Sequence, residues 1–368
     1  MQRRRTRRFR VMGLLPLLAA LLLAACGSSS HSGSSATTSA TTAPGSSATT
    51  AATKLSGTLN GSGSTFQTVY QQSAIAAFKS VQPNMTVNYG SGGSGKGRTD
   101  LASGVVNYAG SDSPIPASQQ SSFKGTVLYF PVVIGPITIS YHLSNVPNLM
   151  LSAPVIAQIF EAKITTWDDP AITSLNPGVK LPSTKITVAR RSDSSGTTQN
   201  FSEFLVKGAP GVWTLGSSST INWPSTTVGG NGNGGVASII KSTTGAVGYV
   251  DYADAKASGL VYASVKNSTG AFIAPSVQSA TDAANNATIS PNLTFSAIWA
   301  PGAGSYPITY QSWVLVYQTQ SATNGPLLKA WVGYLVGAGQ QLLPSLNYAP
   351  IPSSLQSKAQ AQVSQIGT

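Results

Sequence analysis

Residues Arg190-Arg191-Ser192-Asp193-Ser194-Ser195-Gly196-Thr197-Thr198 place two guanidinium groups and a carboxylate among hydroxyls and one glycine, in a chain otherwise sparse in charge. A planar guanidinium can hold two oxygens of one oxyanion at once. Lys185 to Ala189 reads as a short strand, and Thr198 to Val206 as a helix with Phe201, Phe204 and Leu205 at helical spacing. The stretch is therefore read as a strand-to-helix turn, where free backbone N–H groups and the helix dipole favour an anion. Its expected chemistry is the grip of a small oxyanion. A serine nucleophile at Ser194 or Ser195 is the competing use, but it needs a base, and no histidine lies in this turn.

Three further turns share this chemistry: Gly61 to Phe66, Gly90 to Gly97, and Gly110 to Ser113. Glycine lets a backbone approach a ligand closely, hydroxyls add short donors, and successive N–H groups form anion-binding nests. Any one such turn reads as a plain surface loop; four at strand ends do not. Gly90 to Gly97 comes near a nucleotide-binding P-loop, with Gly90, Gly95 and Lys96 in place. Gly97 stands where the magnesium-binding hydroxyl belongs, which argues against nucleotide hydrolysis. Asp112 and Asp193 stand out, because carboxylates repel anions. A carboxylate can accept a hydrogen bond from a protonated oxyanion, admitting hydrogen phosphate and rejecting sulfate, which has no proton at neutral pH. The structural alternatives are a helix cap for Asp112 and, for Asp193, a partner that orients Arg191.

Leu55 to Asn60, Met85 to Tyr89 and Val105 to Gly110 read as strands, with helices over Gln67 to Ser80 and Arg98 to Ser103. Strand, turn, helix in repetition argues for an α/β lobe with a mainly parallel sheet, and ligands of such sheets bind beyond the carboxyl ends of the strands. The apolar run Val127 to Tyr141, interrupted by Pro131 and Pro136, is expected to carry the chain from one lobe to another, with Trp313 to Tyr317 as a return crossing. Further helices are expected over Pro154 to Phe160, Val236 to Lys241, Pro326 to Leu343 and Ser353 to Gln365. Residues 261 to 293 give little signal.

The 368-residue chain opens with six arginines in its first ten residues, then an apolar run to Ala25 and the only cysteine, Cys26. Residues 1–25 read as a signal peptide. Leu-Ala-Ala-Cys looks like a bacterial lipobox, so Cys26 is the expected lipidation site. Residues 26–54, rich in Ser, Thr and Ala, read as a disordered tether. Without the six leader arginines, 16 basic and 10 acidic residues leave a net charge of +6. The lysines are scattered singly, with no basic run suited to nucleic acid. One cysteine and two separated histidines, His31 and His142, offer no internal disulfide and no common zinc site. No cofactor is expected.

Taken in order, Gly61-Ser-Gly-Ser-Thr-Phe66, Val87-Asn-Tyr89 with Gly93-Ser94, Gly110-Ser-Asp-Ser-Pro114, Thr166-Trp-Asp-Asp169, Arg190-Arg-Ser-Asp-Ser-Ser-Gly-Thr197, Gly230-Asn-Gly-Asn233, Gly245-Ala-Val-Gly-Tyr-Val250 and Tyr306-Pro-Ile-Thr309 resemble the phosphate-binding lipoproteins of bacterial phosphate ABC transporters. The resemblance implies an α/β, two-lobed periplasmic binding protein fold of type II. Each lobe would be a mixed, mainly parallel sheet flanked by helices, with the ligand in the interlobe cleft. It assigns residues 55–134 and 306–368 to the first lobe and 135–305 to the second. It implies phosphate ligation by Thr65, Phe66 (through its backbone N–H), Ser94, Asp112, Arg191, Ser195, Gly196 and Thr197, with Asp193 orienting the arginine. Implied partners are inorganic phosphate, ABC permease subunits and, through the lipid anchor, the outer face of the cell membrane, with the chain acting as a monomer and not as an enzyme. Within this reading another oxyanion such as sulfate is the alternative; outside it, a secreted serine hydrolase or phosphatase, or a sensor without transport. Two departures stand out: Ser194, where the family often has glycine, which predicts strain or a reshaped turn, and Lys96, which predicts an extra cation near the cleft mouth.

Overall fold

The computed structural model describes residues 54–367; the expected signal peptide, the lipidation site Cys26 and nearly all of the tether lie outside the described residues. Strands β1 (Gly57–Gly63), β2 (Met85–Ser91) and β3 (Tyr108–Ser111) form a parallel group, with a helix following each of the first two. The first helix, Thr68–Val81, buries Tyr70, Ala74 and Phe78 at four-residue steps against the sheet. In β2, Met85 and Val87 point inward while Thr86 and Asn88 face water, the alternation expected of a half-covered strand.

The next strand, β4 (Val127–Tyr141), runs unbroken for 15 residues through both prolines. Pro131 faces the point where the register against the returning strand shifts, between Ser312 and Trp313. Pro136 is the last residue paired to that strand before a different neighbour takes over at Ile137. Proline cannot donate to a ladder, so a bulge and a hand-over are where a sheet tolerates it. After the short β5 (Met150–Leu151), a second parallel group follows: β6 (Thr187–Arg191), β7 (Val228–Gly230) and β8 (Ala246–Asp251), joined by helices Gly196–Gly208 and Gly232–Ser242. The stretch with little sequence signal holds three strands of two or three residues, β9 (Val261–Tyr262), β10 (Ser264–Lys266) and β11 (Phe272–Ile273), and a helix Val277–Asn285. The chain returns as β12 (Thr309–Tyr317) and closes with helices Asn324–Val336 and Ser353–Gln362.

The main sheet has the order β2-β1-β3-β12-β4-β8-β6-β7. Its two ends are wound alike. In each, the first strand is central, the second lies outside it and the third lies inside, toward β4. One strand serves both ends: β4 pairs with β12 up to Pro136 and with β8 from Ile137 onward. β1, β2, β3 and β6 finish in the turns singled out by their glycines and hydroxyls, which places Thr65, Ser94, Asp112 and Asp193 there, and Asn233 follows β7.

Several boundaries differ from expectation. The second glycine-rich turn is short: β2 runs to Ser91 and a helix starts at Ser94 instead of Arg98. The helix can start there because Gly93 takes a φ of +88°, a left-handed conformation that glycine adopts without steric cost. Likewise Arg190 and Arg191 belong to the end of β6, and the following helix begins at Gly196. The helix expected over 326–343 breaks at Gly337 into a 3-10 turn, Ala338–Leu342. Among the described residues, no helix is long and apolar enough to cross a membrane.

Candidate anion-binding site

Arg191 ends β6 with its side chain buried. Its Nε donates to Asp193 Oδ1 at 2.7 Å, and its Nη2 pairs with the other carboxylate oxygen. Nη1 donates to Thr197 Oγ1 and to Asn233 Oδ1, each at 3.2 Å. The guanidinium is thus fixed in plane on three sides, with an N–H of Nη2 left over from its five donors. Burial works against the Arg191 charge, but its bonds to Asp193 more than offset this and hold its pKa above the ordinary value. For Asp193, burial raises the pKa and Arg191 outweighs it, leaving the carboxyl below the usual carboxylate range. Asp193 also accepts the Gly232 N–H at 3.1 Å, which ties the β6 turn to the β7 turn.

Around this arginine the hydroxyls are arranged as donors. Ser195 caps its helix by accepting the Thr198 N–H at 3.1 Å. Thr197 Oγ1 accepts from Arg191, and Thr65 Oγ1 accepts from Asn233 Nδ2 at 3.2 Å. A hydroxyl whose oxygen accepts one bond still has its hydrogen to give. The first-turn N–H groups of Gly196 and Thr197 have no carbonyl of their own helix to bond, so they add to the positive helix start. Phe66 lies one residue on from Thr65, with its ring stacked on Tyr310 at 4.1 Å between centroids. Its backbone N–H donates to Ser64 Oγ at 3.1 Å.

Asp112 faces this donor set from the end of β3 and is buried. Its Oδ1 accepts from Ser64 and Ser312, each at 2.5 Å, and its Oδ2 from Ser94 at 3.2 Å. Its own N–H donates to Ser94 Oγ at 3.1 Å. Asp112 caps no helix, since the next one starts behind Pro116. Burial pushes its pKa up against the lowering pull of the Ser312 and Ser64 hydroxyls, Arg191 and Ser94, and the net shift is upward. The two ends of the sheet touch here. A Cβ built on Gly196 would lie 2.4 Å from Ser94 Oγ and 2.6 Å from Asp112 Cβ, so only glycine fits this approach. Asn200, one turn on, donates to the Asp112 carbonyl at 2.7 Å and to the Gly196 carbonyl at 2.9 Å.

The structure brings Thr65, Phe66, Ser94, Asp112, Arg191, Asp193, Ser195, Gly196 and Thr197 into one region joined by these bonds. Four participants escaped the sequence reading. Ser64 had a signal, lying inside a turn already singled out. Asn233 had a weaker one, in the motif Gly230-Asn-Gly-Asn233 that carried the family resemblance without a role for the asparagine; it links Arg191, Thr65 and the buried Asp251, to which its Nδ2 donates at 2.5 Å. Ser312 had none, because it sits in an apolar strand 200 residues from Asp112. The fourth is Tyr310, fully buried, whose hydroxyl makes no well-formed hydrogen bond. Burial, with the Asp251 and Asp112 carboxyls nearby, raises that phenol well above its ordinary range, and the Thr197 hydroxyl opposes this.

The two departures also find their places. Ser194 is absent from the residues with positive φ, so it carries no left-handed strain. Its Oγ pairs with Ser219 Oγ at 3.0 Å, and its carbonyl accepts the Gly95 N–H at 3.0 Å, a bond between the two ends of the sheet. Lys96 turns to Asp100 one helical turn away, at 2.6 Å.

A family model described as the PBP superfamily domain matches residues 47–338. The chain is 34% identical over 309 residues to a phosphate-binding protein PstS of Xylella fastidiosa, covering 82% of this chain and 84% of that one. It is 32% identical over 360 residues to phosphate-binding protein PstS 3 of Mycobacterium tuberculosis, covering 94% and 95%. Among solved structures, a phosphate-binding protein from Stenotrophomonas maltophilia superposes with a TM-score of 0.63 at 20% identity, covering 83% of this chain and 94% of that one. A high-affinity periplasmic phosphate-binding protein solved with bound phosphate gives a TM-score of 0.69 at 20% identity, with the same coverage of 83% and 94%. The superpositions carry the fold, and the sequence relatives carry the family: the chain belongs to the PBP superfamily and, within it, to the PstS phosphate-binding proteins.

Proposed function

We propose that this chain captures inorganic phosphate between the two ends of its sheet and delivers it to an ABC permease. The observation that carries this reading is the opposition of Arg191, with its ring of pre-oriented hydroxyls, to a buried carboxylate on Asp112. Phosphate that still bears a proton satisfies both sides. Arg191, Ser195, Thr197, Thr65 and the Gly196 N–H donate to its bare oxygens, the Ser94 hydroxyl and the Phe66 N–H turn to it from Asp112 and Ser64 on binding, and Asp112 accepts from its protonated oxygen. Micromolar or tighter binding asks for about 8 kcal/mol or more, which a buried guanidinium with several charge-assisted donors can supply. Asp193 acts through Arg191 by fixing its fork.

In this reading the two ends of the sheet are two lobes, residues 55–134 with 306–368 and residues 135–305, that separate to release the ligand and close over it. Their boundary is the hand-over in β4, and the Asn200 and Ser194 bonds form on closure. The chain works as a monomer outside the cell membrane, held there by lipid on Cys26. Serine hydrolysis has less support. Ser195 Oγ is used as a helix cap and Ser194 Oγ meets another serine, and neither is bonded to a base.

Equilibrium dialysis of the purified protein against labelled phosphate tests the reading. Saturable binding of one phosphate per chain, with no phosphate released from aryl phosphate esters, is the expected result. Steady ester hydrolysis, or no uptake of phosphate, overturns it.

A further inference from the structure

Arg98 is one of three arginines beyond residue 10, and it pairs with no carboxylate among the described residues. It projects from the helix Ser94–Ala102 and is buried to 1% exposure. Its Nη1 donates to Ser111 Oγ and to Ser113 Oγ, each at 3.1 Å, and its Nε donates to Gln119 Oε1 at 2.9 Å. Its Nη2 is buried without a partner. Burying a guanidinium among hydroxyls and an amide, with no anion in contact, is costly, so a compensating role is expected. The two serines it holds are the residues on either side of Asp112. Ser111 Oγ also donates to the Ser113 carbonyl at 2.7 Å, closing a small loop around Asp112.

We propose that Arg98 is a positioning residue for phosphate recognition: from behind the binding site it fixes the two serines that flank Asp112 and adds positive charge that favours Asp112 as an acceptor. This rests on the reading of Asp112 as the group that accepts the phosphate proton. Burial lowers the Arg98 pKa, and the Asp112 charge is the leading force that opposes this; the interaction is mutual, so the guanidinium favours the ionised Asp112 in turn. The other titratable groups that act on or feel Asp112 are Arg191, Tyr89, Tyr310, Tyr348 and Asp251. The tyrosines are buried and neutral, and Asp251 is pushed toward its neutral form by burial and Asp254. Arg191 and Arg98 are thus the cations that favour the ionised Asp112 against its burial, Arg191 the stronger from the ligand side and Arg98 from behind. A protonated Asp112 would offer a donor in place of an acceptor, and a sulfate ion could then be accommodated.

The test titrates phosphate and sulfate, across a range of pH, into wild type, Arg98→Gln, Arg98→Lys and Ser113→Ala, after confirming cooperative thermal unfolding of each. In Arg98→Gln, phosphate affinity falls about tenfold and the pH at which sulfate begins to compete rises by about one unit. Arg98→Lys keeps the wild-type pH profile because the charge remains. Ser113→Ala weakens phosphate binding several-fold without moving the pH profile, and this holds as a test even if Arg98→Gln does not fold. A folded Arg98→Gln with wild-type selectivity at every pH overturns the proposal, as does wild-type affinity in Ser113→Ala. If wild type itself does not bind phosphate, the function is wrong and the Arg98 outcome is separable from it.

Discussion

Replacing Arg191 by alanine removes the positive charge of the site and leaves Asp193 facing the anion alone. The cost has two parts. Charge-assisted hydrogen bonds to an anion are worth about 1.5–3 kcal/mol each, and Arg191 has one N–H of Nη2 left to give. The second part comes from Asp193, bonded to Arg191 through both oxygens and only 14% exposed on its side chain. Breaking a buried pair by removing one partner costs about 3–5 kcal/mol, and a free carboxylate would also repel the ligand. The lost bond and the repulsion predict a loss of phosphate affinity of about 3 kcal/mol, over a hundredfold, and the broken pair a lower unfolding temperature without ligand. The double change Arg191→Ala with Asp193→Ala separates the two parts. It should recover much of the lost stability, because no unpaired carboxylate remains, and only that part of the affinity lost to repulsion. Calorimetric titration with phosphate and thermal unfolding without it give both numbers for all four proteins of the cycle. Phosphate affinity within a factor of a few of wild type in Arg191→Ala refutes the assigned site. Stability recovered by neither variant refutes the role given to Asp193.

Other substitutions test the remaining parts. Asp112→Asn replaces an acceptor by an amide that can also donate, so phosphate should lose much of its advantage over sulfate in competition titrations; unchanged selectivity would contradict the proton-checking role. Because the folded Asp112 pKa lies above its unfolded value, this group stabilises the ligand-free fold at low pH and loses that contribution as pH rises through the folded value; Asp112→Asn should flatten this part of the stability profile. Tyr310→Phe removes a buried hydroxyl that makes no well-formed hydrogen bond, so stability without ligand should hold or rise by about 1 kcal/mol. A clear fall in the unfolding temperature of Tyr310→Phe would contradict this. Gly196→Ala forces a methyl onto Ser94 and Asp112 where the two ends of the sheet meet. Affinity should drop by about 3 kcal/mol while ligand-free stability changes less, since overpacking costs about 1–3 kcal/mol and an open form escapes it; equal losses in both would argue against opening.

Much of this site could be read from residue order because its groups sit at strand ends, where glycine and hydroxyl residues replace the apolar pattern. Thr65, Ser94, Asp112 and Arg191 each follow or end a recognisable strand. Their mutual facing could not be read that way, since it depends on β4 serving both ends of the sheet. Ser312 shows the limit most clearly. It is a serine inside the apolar strand Thr309–Tyr317, and its use appears only when β12 is laid beside β3, with Trp313 opposite Ser111. The early helix start at Ser94 was hidden for a different reason. Gly95 and Gly97 are poor helix formers, and close packing of those glycines overrides propensity: a Cβ on Gly97 would strike Gly63 Cα at 2.7 Å, and one on Gly95 would strike Ser194 Oγ at 2.1 Å. The strands between 261 and 273 have two or three residues each, too few for any period to show.

The most direct measurement is a calorimetric titration of the purified protein with phosphate at neutral pH, repeated in the presence of excess sulfate. The expected result is one phosphate bound per chain with micromolar or tighter affinity, about 8 kcal/mol or more, and no displacement by sulfate. Tight sulfate binding, or sulfate that displaces phosphate at comparable concentration, would contradict it.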